Sequence, residues 1–477
     1  MPFANLSAQS SGLSRVEAAV KSLAQDPDMR SANWGLAIRD AQSGRLLFGY
    51  ESERNLATAS TMKAVSTATA LGVLGPNFRF ETRIEYVGSL SSDGVLEGDL
   101  IIRGGGDPTL GSDRFGKPYQ MATIFYDWAQ KVKQAGIKEI QGRVIGDEGT
   151  YSSQLTPGNW GWEDMGNYYG AGAGGLNVHE NLYRLDLKPG ARTGDRTKVL
   201  RTDPEIPRIQ FYNELTTGRP GSGDNAYIYG APYTYGRYLR GTIPAGVSSF
   251  SIKGSIPDPA LFCADQFKEV LQACEVAVVG QANTSRRLKL MGENLPEKGK
   301  LVHRHFSPTL ADIVIPTNMK SINLYAEALA NQVAQAREGD NREVGEAMKK
   351  YWQSQGVNTR GMYLRDGSGL SPNNQLSTGQ LSAILCKVYQ SGYYQSFNQS
   401  LPVAGKSGSL SRMMRGTKAA NNLRAKSGYI SGVRSYTGYV EDGQGRTLAF
   451  TFIVNYFSGS SGQMRNKMAN IMALMAN

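Results

Sequence analysis

The sequence predicts a mixed α/β (α+β) fold, with helices and antiparallel strands at both ends of the chain and a β-rich region inserted between them. The chain has 477 residues, enough for about three domains and a sizeable core. Its 56 glycines and 24 tyrosines indicate many turns and much β-structure. The character of the sequence changes near residue 80 and again near 303. We therefore expect one domain from 1–80 and 303–477, interrupted by 81–302 as two small subdomains.

The first 80 residues predict a helix, a β-hairpin and a second helix. Residues 12–25 place their apolar side chains on one side of a helix. Strands over 33–39 and 45–50 flank a polar turn. Thr58 and Ser60 are then expected to cap an alanine-rich helix.

The inserted region and the C-terminal part show different patterns. In the insertion we predict strands over 82–88, 96–103, 139–147 and 286–291, and helices over 121–135 and around Cys263. An irregular stretch over 151–181, rich in Gly, Trp, Tyr and Asn, is long enough to indicate a functional loop. Beyond residue 303 we predict helices over 324–337, 343–356, 377–390 and 463–476, and antiparallel strands over 422–428, 434–441 and 447–455.

The net charge of +11 limits the classes of partner. A basic surface suits nucleic acid, an anionic membrane face or an acidic polymer. No basic block, zinc-finger spacing or aromatic-basic repeat is present, so no nucleic-acid partner is expected. The simple alternative is a diffuse charge that keeps the protein soluble.

The cysteines and histidines predict neither disulfides nor a metal centre. Cys263 and Cys274 lie on one predicted helix about 16 Å apart, too far for a disulfide. With Cys386 they are interpreted as small buried hydrophobic residues. His303 and His305 are the one alternative for a metal, but an ordinary strand face is the better interpretation. No metal or organic cofactor is expected.

No apolar run approaches the ~18 residues that span a bilayer. The N-terminus shows no basic segment followed by an apolar one, so no secretory signal is visible. We interpret the leading Met-Pro-Phe as a start from which a natural signal has been removed.

The stretch Ser60-Thr61-Met62-Lys63 predicts an acylation centre. Ser60 and Lys63 lie one helical turn apart on the same face. A serine hydroxyl needs a neighbouring base to become a good nucleophile. A buried lysine can be that base, because burial disfavours its ammonium form. On these four residues alone, a capped helix with a surface lysine is the plainer interpretation.

Two later motifs supply the other parts of such a site. Ser321-x-Asn323 offers a hydroxyl for proton relay and an amide for the substrate. Lys426-Ser427-Gly428 offers an ammonium, a hydroxyl for a terminal carboxylate and a glycine that admits close backbone approach. The backbone N–H groups of Ser60 and Tyr429 are candidates for the oxyanion hole.

Each motif also occurs elsewhere in the chain by chance, and context separates the copies. Ser31-x-Asn33 precedes the nucleophile, and Ser371-x-Asn373 lies in a Pro-Asn-Asn turn. Ser396-x-Asn398 is a further copy, but Ser321 leads directly into a strong helix. Lys406-Ser407-Gly408 lies in a turn-like stretch, whereas Lys426 opens a strand.

SxxK, SxN and K[ST]G in this order resemble the penicillin-recognising serine enzymes. The 261 residues between Ser60 and Ser321 leave room for inserted domains and disfavour a serine β-lactamase. The chain resembles most the low-molecular-mass class C penicillin-binding proteins, the D-alanyl-D-alanine carboxypeptidase/endopeptidases similar to penicillin-binding protein 4. Further shared stretches are LGPNFRFET, LEGDLIIRGGGDPTL, SPTLADIV, SINLYAEAL, DGSGLS and LPVAG.

This resemblance implies a transpeptidase-like domain, with an antiparallel sheet flanked by helices, that carries two nested inserted domains. It implies roles as well: Ser60 is the nucleophile, Lys63 its base, Ser321 the relay, Asn323 a substrate contact, and Lys426 and Ser427 the carboxylate-binding pair. Asp164 and Tyr169 match positions that line the pocket for an amine-bearing side chain of the stem peptide.

The sequence departs from the family pattern at three places. Ser427 replaces the usual Thr, which keeps the hydroxyl. Pro372 follows DGSGLS where many relatives have Arg, which removes one contact to the peptide. Residues 406–410 read KSGSL instead of the usual Asp-Gly-Thr-Leu pattern.

We therefore expect a serine DD-peptidase that cleaves D-alanyl-D-amino acid bonds of peptidoglycan stem peptides and crosslinks, and that β-lactams acylate and inhibit. Its expected location is periplasmic or otherwise extracytoplasmic, and its basic surface suits peripheral association with the wall or membrane surface. Two alternatives stay open: a serine β-lactamase, and a non-catalytic cell-wall-binding protein that keeps the fold.

Overall fold

The computed structural model describes residues 11–477, which form two compact units. One unit comprises the residues up to Phe78 together with Thr309–Asn477, and the other comprises Arg79–Pro308. The C-terminal border of the second unit falls after the expected 302. The reason is that strand Lys300–Phe306 pairs with strand Glu81–Tyr86.

The α-helices of the described residues are, in chain order, α1 (Ser11–Ala24), α2 (Met62–Leu74), α3 (Met121–Gln134), α4 (Trp162–Met165), α5 (Pro259–Ala273), α6 (Ser285–Leu290), α7 (Leu310–Met319), α8 (Asn323–Glu338), α9 (Val344–Ser354), α10 (Thr378–Tyr389), α11 (Tyr394–Ser400) and α12 (Ser461–Leu474).

The strands are β1 (Asn33–Asp40), β2 (Leu46–Tyr50), β3 (Asn55–Ala57), β4 (Glu81–Tyr86), β5 (Ser89–Leu90), β6 (Val95–Glu97), β7 (Leu100–Arg103), β8 (Glu139–Ile140), β9 (Val144–Asp147), β10 (Leu182–Lys188), β11 (Lys198–Asp203), β12 (Gln210–Asn213), β13 (Thr216–Gly218), β14 (Asn225–Tyr229), β15 (Gly236–Pro244), β16 (Phe250–Ser255), β17 (Ala277–Val278), β18 (Asn283–Thr284), β19 (Lys300–Phe306), β20 (Gln375–Ser377), β21 (Arg424–Ile430), β22 (Val433–Glu441) and β23 (Thr447–Asn455).

A five-stranded sheet forms the centre of the first unit. Its order is β2-β1-β23-β22-β21, and every neighbouring pair is antiparallel. Alternate residues of a strand point to opposite faces. On one face, Phe450 and Phe452 share an apolar core with α1 and α12. On the other, the Tyr439 hydroxyl donates to the Leu385 carbonyl of α10 at 2.8 Å.

Helix α2 lies inside this unit. All of its residues from Met62 to Leu71 are buried. The hydroxyls of Ser66, Thr67 and Thr69 among them donate to backbone carbonyls. The helix packs against α7 and α8. The short segment that contains Ser60 immediately precedes α2 and is therefore held in place by the surrounding core.

The second unit consists mainly of β-structure. Its sheets have the orders β18-β9-β7-β4-β19, β17-β8-β6-β5, β11-β10-β16 and β12-β15-β13, with β14 paired to β15. Helices α3 and α5 pack on each other within its core, where Phe125, Trp128 and Phe267 form an aromatic cluster. That the insertion consists of two nested subdomains stays a prediction.

Three local predictions were wrong. Residues 286–291 form helix α6 instead of a strand, because Thr284 caps the segment by accepting from the Arg287 N–H at 3.2 Å. Neither Thr58 nor Ser60 caps α2, whose N-cap residue is Thr61, and the buried Thr58 hydroxyl has no hydrogen-bond partner among the described residues. Cys274, at the end of α5, is only partly buried, although Cys263 and Cys386 are buried and all three are free thiols.

Candidate active site

Ser60 lies in a single 3₁₀ turn, Ala59–Thr61, immediately before α2. Ala59 adopts φ 45°, a left-handed conformation that is rare outside glycine. This conformation is energetically unfavourable and persists only where the surrounding structure enforces it, most often at functional sites. The turn brings the Ser60 hydroxyl to the N-terminal end of a buried helix, where the helix dipole favours negative charge.

Lys63 forms the centre of the site. Its side chain is fully buried, and Nζ contacts three oxygens: Ser60 Oγ at 3.0 Å, Asn323 Oδ1 at 2.6 Å and the Ser368 carbonyl at 2.7 Å. A neutral amine has two N–H donors and one lone pair. It therefore satisfies the amide and carbonyl oxygens as a donor and still accepts the proton of the Ser60 hydroxyl.

Burial sets the charge state of this amine. Desolvation lowers the pKa of Lys63 to about 7, against the nearby Asp366 and Glu327, which raise it. A lysine with a pKa near 7 is partly in its neutral amine form at physiological pH, and this form can take up the serine proton.

Lys426 and Ser321 form a second pair. Lys426, on β21, is buried, and its Nζ donates to Ser321 Oγ at 3.0 Å and to the Ser427 carbonyl at 2.7 Å. Burial, and then the charge of Lys63, hold the pKa of Lys426 well below its usual value. Ser321 precedes α8 in a left-handed conformation with φ 58°. Its hydroxyl thereby contacts the strand while Asn323, two residues later, contacts Lys63.

The Lys-Ser-Gly segment continues along β21, the outer strand of its sheet. The Ser427 hydroxyl donates to Ser409 Oγ at 2.6 Å. Gly428 lies against the nucleophile turn, and a Cβ at this position would be 2.9 Å from the Ser60 nitrogen. The Tyr429 ring is 56% exposed. The structure thus brings together all the predicted residues of the first unit around Ser60 and β21.

A pair of buried acids supports this arrangement, and the sequence reasoning did not assign it. Glu327 of α8 accepts from the Gly367 N–H at 3.0 Å and the Ser368 N–H at 2.8 Å. Asp366 accepts from the N–H groups of Gly369 at 2.6 Å and Ser371 at 2.7 Å. The two carboxylates fix the loop whose Ser368 carbonyl contacts Lys63.

The signal for these acids was present in SINLYAEAL and DGSGLS. Glu327 is the one acid in a stretch whose other positions from 324 to 330 are apolar or aromatic. Burial, together with Asp366, raises the pKa of Glu327, whereas the two backbone N–H donors favour its ionised form.

Asp164 and Tyr169 lie in the second unit, and the structure brings them together. The Tyr169 hydroxyl donates to the Asp164 carboxylate. Burial is the largest effect on both groups and raises the pKa of each. Both residues lie within the stretch 151–181 that the sequence indicated as a functional loop, Asp164 in α4 and Tyr169 in a 3₁₀ turn at Tyr168–Gly170.

The described part of the chain lacks two kinds of feature. From residue 11 onward, no group of three His, Cys, Asp or Glu side chains has the arrangement of a metal site. Within the same range, no helix combines the length and apolar character of a membrane-spanning segment.

Comparisons with known proteins relate the whole chain to D-alanyl-D-alanine carboxypeptidases. A D-alanyl-D-alanine carboxypeptidase of Actinomadura sp. strain R39 is 28% identical over 459 residues, which cover 92% of this chain and 81% of that protein. The D-alanyl-D-alanine carboxypeptidase DacB of Haemophilus influenzae is 23% identical and covers 94% and 90%. The crystal structure of penicillin-binding protein 4 from Haemophilus influenzae matches with a TM-score of 0.79 at 21% identity, covering 96% of this chain and 97% of that one.

This structural likeness confirms the predicted fold class. The model of the D-Ala-D-Ala carboxypeptidase 3 (S13) family matches residues 16–477. The resemblance seen in the sequence motifs is thereby confirmed over nearly the whole chain, which belongs to the D-Ala-D-Ala carboxypeptidase S13 family.

Proposed function

We propose that Ser60 is the nucleophile of a serine DD-peptidase that cleaves D-alanyl-D-amino acid bonds in peptidoglycan stem peptides and their crosslinks. The observation that carries this proposal is the 3.0 Å contact between Ser60 Oγ and the buried amine of Lys63. The family supports the same reaction class. A crystal structure of the Haemophilus influenzae penicillin-binding protein 4 is a complex with a β-lactam.

In the acylation step, neutral Lys63 takes the hydroxyl proton while Ser60 Oγ attacks the carbonyl carbon of D-alanine. Asn323 and the Ser368 carbonyl hold the amine during this transfer. The backbone N–H groups of Ser60 and Tyr429 are the proposed donors to the oxyanion.

The tetrahedral intermediate then collapses to an ester on Ser60 as the C–N bond breaks. The proton that Lys63 took up passes to the leaving amine, with Ser321, which is bonded to Lys426, as the proposed relay, and Lys63 becomes neutral again. Water then attacks the ester while Lys63 takes its proton, and this proton returns to Ser60 Oγ as the ester bond breaks. The products are a peptide ending in D-alanine and a free enzyme.

Lys426 and Ser427 are the proposed site for the substrate carboxylate. Charge-assisted hydrogen bonds are about twice as strong as neutral ones, so a carboxylate that replaces Ser409 as the acceptor of the Ser427 hydroxyl is favoured. The outer edge of β21 is suited to align an extended peptide by main-chain hydrogen bonds.

The substrate places the proposed reaction outside the cytoplasmic membrane. The net charge of +11 suits an anionic wall polymer, and it is also the basis for a proposed peripheral association with the wall or membrane surface. β-Lactams are the proposed inhibitors, and Ser60 is the residue that we propose they acylate.

The test is the intact mass of the protein after mixing with benzylpenicillin, followed over minutes to hours beside a Ser60→Ala variant. We expect a lasting adduct of one penicilloyl group in the parent and none in the variant. This result would fit an acyl-enzyme that hydrolyses slowly.

Two other results would contradict the proposal. Drug that is consumed without a visible adduct indicates a serine β-lactamase. Intact drug with no adduct indicates a wall-binding protein that has kept the fold without the activity.

A further inference from the structure

The positive charge of this protein is concentrated near its C-terminus. Residues 367–477 contain eleven lysines and arginines against two acids, Glu441 and Asp442, a net charge of +9. The whole chain has a net charge of +11. No Asp or Glu occurs between Asp366 and Glu441. A charge this uneven creates a local field, unlike a charge spread for solubility.

Part of this charge lines a cleft in the first unit, between residues 409–417 and α12. The cleft has a volume of about 730 Å³. Its walls carry three arginines, Arg412, Arg415 and Arg465, and Met413 and Met414 lie between the first two. We call this feature the arginine cleft.

The three guanidinium groups are not neutralised from within the protein. Among residues 11–477, no carboxylate lies within ion-pair distance of Arg412, Arg415 or Arg465, although many other arginines have such partners. Arg415 donates through Nε and one terminal nitrogen to the Ser411 carbonyl, at 3.2 and 3.0 Å. These bonds orient the group and leave its charge available.

The arginine cleft begins at the proposed active site. Ser409 lines the cleft and also accepts the hydrogen bond of 2.6 Å from Ser427, the proposed carboxylate-binding hydroxyl. A substrate that continues past this carboxylate position therefore meets the arginines next.

We propose that the arginine cleft binds the carboxylates of the second stem peptide of a crosslink, the one released when Ser60 is acylated. When the substrate is an uncrosslinked peptide, the terminal D-alanine ends with its carboxylate at Ser427, and no further part of the peptide reaches the cleft. In a crosslink the leaving amine belongs to a second anionic peptide. Arginine binds carboxylates through two parallel N–H donors, and methionine adapts to irregular apolar surfaces. This inference rests on the proposed function and assigns it an endopeptidase substrate.

The experiment compares two substrates, a monomeric peptide that ends in D-Ala-D-Ala and a crosslinked dimer. The variant is Arg412→Ala/Arg465→Ala, with exposed Arg45→Ala of the same unit, outside the cleft, as the matched control. We expect kcat/KM on the dimer to fall about tenfold or more, mainly through KM, since each charge-assisted bond is worth roughly that factor. Monomer cleavage and acylation by benzylpenicillin should match those of the control.

Charge specificity gives a second readout. Arg412→Lys/Arg465→Lys should recover part of the lost dimer cleavage, and added salt should slow dimer cleavage more in the parent than in the alanine variant. An equal loss on monomer and dimer, a loss of acylation in the alanine variant, or a dimer rate equal to that of the control would overturn the inference. Failure of the parent itself to become acylated would overturn the proposed function, and with it this assignment.

Discussion

At the scale of single residues, the site depends on two lysines whose burial keeps them from being ordinary cations. Lys63 is the proposed base because its amine contacts Ser60 Oγ at 3.0 Å and has a pKa of about 7. Only the amine form can accept the hydroxyl proton. The rate of acylation should therefore rise as the pH increases through about 7 and level off above it.

The measurement is the rate of acylation by benzylpenicillin as a function of pH, with Lys63→Ala beside the parent. The variant should lose a factor of about 10² to 10⁴, the usual contribution of a positioned base, and its remaining rate should show no step near pH 7. A variant that keeps the parent's rate and pH profile would remove Lys63 from the mechanism.

Ser427 offers a separate test at the same scale. Its hydroxyl is the proposed donor to the substrate carboxylate, and Thr is the usual residue at this position in the family. Ser427→Thr should keep the activity, and Ser427→Ala should lower kcat/KM about tenfold for peptides with a free terminal carboxylate. Peptides with an amidated terminus should respond much less, and an equal response of both peptide types would argue against this contact.

At the scale of elements, the site depends on how closely β21 approaches the nucleophile turn. At Gly428 a Cβ would be 2.9 Å from the Ser60 nitrogen and would also collide with Ser435 Oγ. Gly428→Ala should therefore push the strand away from Ser60 and reduce acylation by about 10² or more, because small misplacements cost rates of that order.

Gly392 provides the matched control for this substitution. An added Cβ there meets nothing within 4 Å, and its backbone is not in the left-handed region. Gly392→Ala should leave both the melting temperature and the acylation rate unchanged. If Gly428→Ala behaved in the same way, close approach of this strand would not be a requirement of the site.

The buried acids Glu327 and Asp366 form the link between α8 and the loop at 366–371. Glu327 accepts backbone N–H groups with both of its oxygens. Glu327→Gln would place an amide N–H₂ against one of these donors. We expect a loss of about 1–3 kcal/mol in the free energy of unfolding, the cost of a buried unpaired polar group.

Glu327 acts on Lys63 only through the loop at 366–371 and through its charge. A second measurement on Glu327→Gln, the pH dependence of acylation, distinguishes the effect of the charge from a loss of stability. Glu327 raises the pKa of Lys63. Removing its charge should shift the midpoint of the acylation profile to lower pH. An unchanged midpoint in a folded Glu327→Gln variant would limit the residue to loop stability.

The sequence allowed most of these elements to be predicted, and the errors have local causes. Periodicity identified the five strands of the central sheet and most helices of the first unit. Periodicity gave the wrong result at 286–291, where the N-cap at Thr284 stabilises a helix. Spacing indicated Ser60, Lys63, Ser321 and Lys426, but nothing in the pattern showed that the Ser368 carbonyl would complete the surroundings of Lys63. Contacts of backbone atoms across 305 residues of sequence depend on tertiary packing.

At the scale of the whole molecule, the proposed chemistry lies in the first unit and the proposed recognition of a side chain in the second. The residues that react with the peptide bond all lie outside 79–308. The Asp164–Tyr169 pair lies inside that range. If both proposals hold, substitutions at the pair should change substrate preference without changing the reactivity of Ser60.

Asp164 is the proposed acceptor for the amine of the stem-peptide side chain. Asp164→Ala removes the carboxylate, so peptides with a free side-chain amine should lose about tenfold in kcat/KM, while peptides with a neutral side chain should change little. Tyr169→Phe removes only the hydroxyl that donates to Asp164 and should retain most of the preference. The acylation rate with benzylpenicillin, which lacks this amine, serves as the internal control. An Asp164→Ala variant that discriminates the two peptides as well as the parent does would remove the pair from substrate recognition and would assign it to the folding of the second unit.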